Sequence, residues 1–170
     1  DIVVGTDDEF IHLIYDDGTL GWSYETGGDI RVAPSVLELN TGEKIILAGS
    51  KDNNFYGLNS DGTLRFMVET EDDIETEASV LDIEEVGPVI FFASGNMAYA
   101  VESNGDAFGN WPIDIGAELA SSIAFSDFDG ADVDCGRCLA DPEVIIADLS
   151  GKIHAFTFDG TIYNNFPIIG

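Results

Sequence analysis

Positive charge is what this chain most lacks: six lysines and arginines face 33 aspartates and glutamates, for a formal charge of −27 over 170 residues. The acids are scattered along the chain instead of forming one tail. Such a surface repels nucleic acid and anionic lipid, and it suits cation binding or a salty medium in which screening limits self-repulsion. Long apolar runs are missing too. No segment approaches the roughly eighteen residues of a membrane-spanning helix, and no basic stretch followed by an apolar one opens the chain, so no membrane insertion is expected. Cysteine occurs twice, at Cys135 and Cys138, which leaves a structural zinc site short of two ligands. The G-x-S-x-G nucleophile motif does not occur, and no segment of ten or more residues shows capped helical periodicity.

What is present is a repeat. The chain is long enough for a sizeable core, and its 45% hydrophobic content is that of a folded domain. A turn dipeptide recurs as Asp17-Gly18, Asp61-Gly62, Asn104-Gly105 and Asp159-Gly160, at intervals of 44, 43 and 55 residues. A period of about 40 to 45 residues marks β-propeller blades. Before each turn runs an alternating strand (IHLIYDDG, FYGLNSDG, AYAVESNG, IHAFTFDG), and before that a continuous apolar one (DIVVGT, KIILAGS, PVIFFAS, EVIIAD) suited to burial on both faces. After each turn comes an aromatic-centred strand carrying Trp22, Phe66, Trp111 or Phe166, and a fourth kind of strand carries Ser35, Ser79 and Ser122.

Four short strands therefore make one repeat, and the fold class is all-β: a β-propeller of four-stranded antiparallel blades, about four of them. The repeats run 1–44, 45–88, 89–143 with an acidic cysteine-containing insertion, and a partial 144–170. With the serine strand innermost and the aromatic strand outermost, the first blade lacks its inner strand. The chain is thus expected to be part of a larger propeller, or of an assembly that supplies the missing strand. A sandwich is the rival architecture, but it does not explain why the same strand types return in order.

The segments SDFDG, PEVIIAD, GKIHAFTFDGT and NNFPI resemble the FG-GAP or VCBS class of extracellular propeller repeats, and DGTLGWSYETGG is similar to the quinoprotein-like (PQQ-like) repeats that share the architecture. The likeness covers essentially the whole chain. It implies a loop of the form D-x-D-G-D-G-x-P-E wrapped round calcium. Asp127 and Asp129 match the first two acids, Gly130 the turn, and Pro142-Glu143 the end of that motif. Ala131 stands where a third acid is expected, with Asp132 or Asp134 as substitutes, and about eight extra residues interrupt the loop. Closely spaced carboxylates suit calcium, which takes six to eight oxygens, better than magnesium; the alternative is a solvated acidic loop. The corresponding loops LELNTGEK and LDIEEVGP are shorter and lack the motif, so at most one such site is expected.

For Cys135-Gly136-Arg137-Cys138 a redox centre is disfavoured, because acidic surroundings raise a thiol pKa; a small structural disulfide is the reading for an extracellular protein. His12 and His154 share a repeat offset with Tyr56 and Tyr99, which points to packing with a polar tip. Trp22, Phe66, Trp111 and Phe166, recurring once per repeat, are read as wedges between blades, with Trp22 and Trp111 as the candidates for holding a ligand if exposed. The expectation is a non-catalytic, secreted or cell-surface propeller, a scaffold for binding, adhesion or assembly. Its partner would be a protein or glycan, or its own open blade edges. A carbohydrate-binding propeller and a fragment of a quinoprotein dehydrogenase are the rivals, the latter weakened because the cysteines are not vicinal.

Overall fold

The computed structural model describes residues 1–83, 86–119, 121–126 and 142–169, and among these none is helical. The predicted ligands Asp127, Asp129, Asp132 and Asp134 and both cysteines lie outside the described residues. The chain divides into two compact units, Asp1–Ala78 and Ser79–Gly170.

In the first unit, β1 (Ile2–Gly5), β2 (Phe10–Ile14) and β3 (Leu20–Glu25) form a three-stranded antiparallel sheet. A four-stranded sheet follows, in the order β4 (Ser35–Glu38), β5 (Lys44–Gly49), β6 (Asn54–Asn59), β7 (Leu64–Glu69). The second unit holds two more four-stranded sheets. One is β8 (Ser79–Ile83), β9 (Gly87–Ser94), β10 (Met97–Glu102) and β11 (Ile113–Asp114); the other is β12 (Ala124–Ser126), β13 (Glu143–Ala147), β14 (Lys152–Thr157) and β15 (Ile168–Ile169). Within each sheet the strands lie in sequence order, so each sheet is a meander. The first sheet does lack a first strand among the described residues. The sheets break before the serine strand, so repeats 1–44 and 45–88 each end by supplying the first strand of the following sheet.

The turn dipeptides act through one geometry. Gly18 N–H donates to Tyr15 O and Tyr15 N–H to Thr19 O, and Gly62 with Asn59 and Thr63 repeats the pattern. Only the glycine has positive φ, +83° at Gly18 and +84° at Gly62, so the turns are type I with a glycine bulge; a type I′ turn would require positive φ at the preceding residue too. The ladder register shifts just before each of these two turns. Asp17 and Asp61 accept bonds from the N–H and Oγ1 of the threonine two residues on, which holds both carboxyls below their usual range.

Burial follows the strand types. The middle strands β5, β6, β9 and β10 are almost wholly enclosed, whereas β4 and β8 alternate. In the first unit Ile11, Ile46, Ala48, Tyr56 and Leu58 pack with Ile30 into one cluster. In the second, Val89, Phe91, Val144, Ile146 and Phe156 gather around Trp111.

Candidate functional site

The acidic insertion joins β12 to β13, the topological place that Leu39–Glu43 occupies between β4 and β5. Its two ends meet in register, Ser126 opposite Glu143. Glu143 is the predicted ligand that the structure describes, and it is 2% exposed. A carboxylate enclosed to that degree is unusual, and it stands next to Pro142 at the closing end of the insertion. Among the described residues no three acidic, histidine or cysteine side chains converge as a metal cluster.

Downstream on the same sheet lies a buried polar knot. Asp148 Oδ1 accepts bonds from the N–H and Oγ of Ser150 and from Lys152 N–H, while its Oδ2 lies 2.8 Å from His154 Nε2. These bonds, those of Ser150 first and His154 next, hold the Asp148 carboxyl far below its usual range. The position equivalent to His154 in the β4–β7 sheet carries Tyr56, whose hydroxyl donates to Asp52 Oδ2 at 2.6 Å. Burial, then the Asp52 hydrogen bond, push that phenol well above its usual range. His12 Nδ1 lies 2.8 Å from Ser23 Oγ, and Tyr99 stacks on Phe92. All four residues at this repeat offset thus sit against a partner inside the sheet or its hairpin.

The tryptophans also follow one plan. Trp22 donates its indole N–H to Ser60 O, and Trp111 donates to Phe158 O, each at 3.0 Å. Both acceptors immediately precede an Asp-Gly turn in the following sheet. A Cβ on Gly62 would lie 2.6 Å from Trp22 Cδ2, and one on Gly160 3.2 Å from Trp111 Nε1. The turn glycine therefore does two jobs: it adopts positive φ and leaves room for the preceding sheet's indole. Trp111 is 4% exposed and meets Phe91 and Phe156 edge-on.

Sequence reasoning missed a second device. The segments Glu25-Thr26-Gly27-Gly28-Asp29-Ile30 and Glu69-Thr70-Glu71-Asp72-Asp73-Ile74 recur at a spacing of 44 and clamp the end of their own sheet. Thr26 bonds back to Glu9 O and Gly28 O, as Thr70 does to Asn53 O and Asp72 O. Ile30 and Ile74 then lie on Gly5 and Gly49, where a Cβ would come within 2.1 and 2.2 Å of the isoleucine Cγ2. The first clamp also reaches the β5–β6 hairpin: Gly27 N–H donates to Asp52, Lys51 N–H to Asp29 O, and Ser50 Oγ to Gly28 O. Lys51 in turn binds Asp73 and Glu75, which raise its pKa.

No family model matches the chain, and no curated protein is similar to it in sequence. Solved structures are similar in fold. BamB from Moraxella catarrhalis superposes with a TM-score of 0.64 at 16% identity, covering 98% of this chain and 44% of that one. The C-terminal domain of PilY1 from Pseudomonas aeruginosa gives 0.67 at 12% identity, covering 92% and 38%. BBS1N, solved in complex with ARL6DN, gives 0.63 at 11% identity, covering 98% and 48%. The fold is a β-propeller fold. The chain spans less than half the length of each of these propellers. Against that background the indole wedges and the threonine clamps are inter-strand and blade-to-blade fasteners of the propeller.

Proposed function

We propose that this chain is a non-catalytic propeller scaffold of the FG-GAP or VCBS kind, secreted or at the cell surface, which presents a rigid acidic face to a protein partner. The observation that carries the reading is how the chain uses its reactive residues. His154, Tyr56, Ser79, Trp22 and Trp111 each spend a polar atom on a structural bond, Ser79 Oγ on Ile123 O. Four of the six basic residues, Arg31, Lys44, Lys51 and Arg65, pair with acids. With 33 acids against six bases, the charge presented outward is predominantly carboxylate. Protein-bound propeller neighbours such as BBS1N with ARL6DN support the partner class.

In this reading the insertion binds calcium. The candidate donors Asp127, Asp129, Asp132, Asp134 and Glu143 are all hard oxygen ligands of the kind calcium takes. Calcium bound there would stiffen the β12–β13 connection, and a Cys135–Cys138 disulfide would close it further. Calcium at about a hundredfold above its Kd stabilises by about 2.7 kcal/mol, so a thermal melt is expected to rise by about 5–10 °C and to fall back with EDTA. A melt that does not respond to either would remove calcium from the account, and binding of no protein partner by an immobilised chain would remove the scaffold.

A further inference from the structure

The four turn dipeptides are not chemically equal. Three carry aspartate, at Asp17, Asp61 and Asp159, and each accepts the N–H of a threonine two residues on. The remaining turn carries Asn104, followed by Gly105 and then Asp106, and it holds the chain's single Asn-Gly dipeptide. The exposed Asn104 amide is latched through both its atoms. Asp106 N–H donates to Asn104 Oδ1 at 3.0 Å, and Asn104 Nδ2 donates to Asp106 Oδ2 at 2.8 Å. Gly105 N–H donates to Glu102 O at 2.9 Å. Gly105 has a φ of +90° while Ser103 and Asn104 keep negative φ, so this turn is type I with Asn104 at its third position. Just beyond it the chain docks on the β12–β15 sheet: Asn110 N–H donates to Asp159 O, and Phe108 stacks on Phe158.

We propose that Asn104 is a self-modification site gated by this turn, at which the side-chain amide is hydrolysed to a carboxylate with water as the only co-reactant. The Gly105 nitrogen attacks Asn104 Cγ, and no side chain on Gly105 obstructs it. The N–Cγ bond forms, the Cγ–Nδ2 bond breaks, and ammonia leaves with the proton that the Gly105 nitrogen gives up. Water then opens the cyclic imide at either carbonyl and returns a proton to the ring nitrogen, leaving aspartate or isoaspartate at position 104; nothing is oxidised or reduced. The closed turn blocks the first step in three ways. A ψ of about 0° at the third position of a type I turn points the Gly105 nitrogen away from Cγ. Glu102 O holds the proton that must leave, and Asp106 holds both amide atoms. Conversion therefore draws on the opened turn and follows its population. The product resists reclosing, because a second carboxylate replaces the donor that now faces Asp106 Oδ2, and isoaspartate also inserts a methylene into the backbone of the turn. The threonine-bearing turns accept aspartate because their partner donates. Modification at Asn104 thus loosens the seam that Phe108 and Asn110 make with the β12–β15 sheet, and it needs neither calcium nor a partner.

The test is peptide mapping by mass spectrometry, with isoaspartate and aspartate separated chromatographically, on the whole chain aged at neutral pH with and without urea. Conversion at position 104 is expected to be slower in the folded chain than in urea by about tenfold or more, and faster in folded Asp106→Ala than in the folded parent. Amide hydrogen exchange at Asn110 should rise in Asn104→Asp. It should return to the parent rate when Asp106→Thr is added, since that pair rebuilds the Asp-Gly-Thr turn of the other repeats. Equal conversion in the folded and unfolded chain, no conversion in either, or no gain from Asp106→Ala would overturn the proposal. Unchanged exchange at Asn110 in Asn104→Asp would overturn its effect on the seam.

Discussion

Replacing Gly62 by alanine separates two demands that the fold places on one residue. Gly18 and Gly62 occupy the same turn with φ of +83° and +84°, but a Cβ at Gly18 meets nothing within 4 Å, while one at Gly62 comes 2.6 Å from the Trp22 ring. Gly18→Ala should therefore cost only the left-handed backbone penalty, about 1–2 kcal/mol. Gly62→Ala should add an overpacking cost of about 1–3 kcal/mol, because the indole is held by its bond to Ser60 O and cannot swing away freely. Urea denaturation followed by circular dichroism, with unchanged m, measures both. In a Trp22→Ala background the wedge is gone, and the cost of Gly62→Ala should fall to that of Gly18→Ala. Equal costs for the two glycines in the parent chain would refute the wedge.

Other outcomes follow from the same contacts. Ile74→Ala, which removes the buried residue seated on Gly49, should cost about 2–5 kcal/mol in the same denaturation assay. Asp148 has a folded pKa below its unfolded one, so its contribution is present above the ordinary carboxylate range and is lost as pH falls through the folded value. Asp148→Asn should therefore be less stable than the parent at pH 7, with the gap closing as melts are repeated at progressively lower pH below about 4. Intact mass after alkylation without reductant should be unchanged if Cys135 and Cys138 are joined, and two adducts would exclude the disulfide.

The repeat made the architecture legible. Turn dipeptides and alternating strands placed the meanders, and the continuous apolar runs picked out the enclosed β5 and β9. The first-strand deficit of the opening sheet was readable because the serine strand is the repeat's own marker. The clamps were not read, although Thr26 and Thr70 stand a period apart. Their meaning is tertiary: nothing local tells that Gly5 and Gly49, weak strand formers by propensity, are seats for isoleucine. Positive φ at Glu9 and Asn53 was equally hidden, since neither hairpin has a glycine there. The two tryptophans could be read as ligand platforms or wedges from spacing alone, and their bonds to the turn carbonyls favour the wedge. Of the acidic insertion, only Glu143 among the predicted ligands lies within the described residues.

Long-range backbone NOEs on the isotopically labelled chain test the propeller meanders most directly. Close pairs are expected for Ser35–Leu47, Ile46–Leu58 and Tyr56–Met67 in one sheet, and for Ser79–Phe91 and Ala98–Ala93 in the next. Pairing of strands from different repeats, such as β5 with β9, would contradict the meanders.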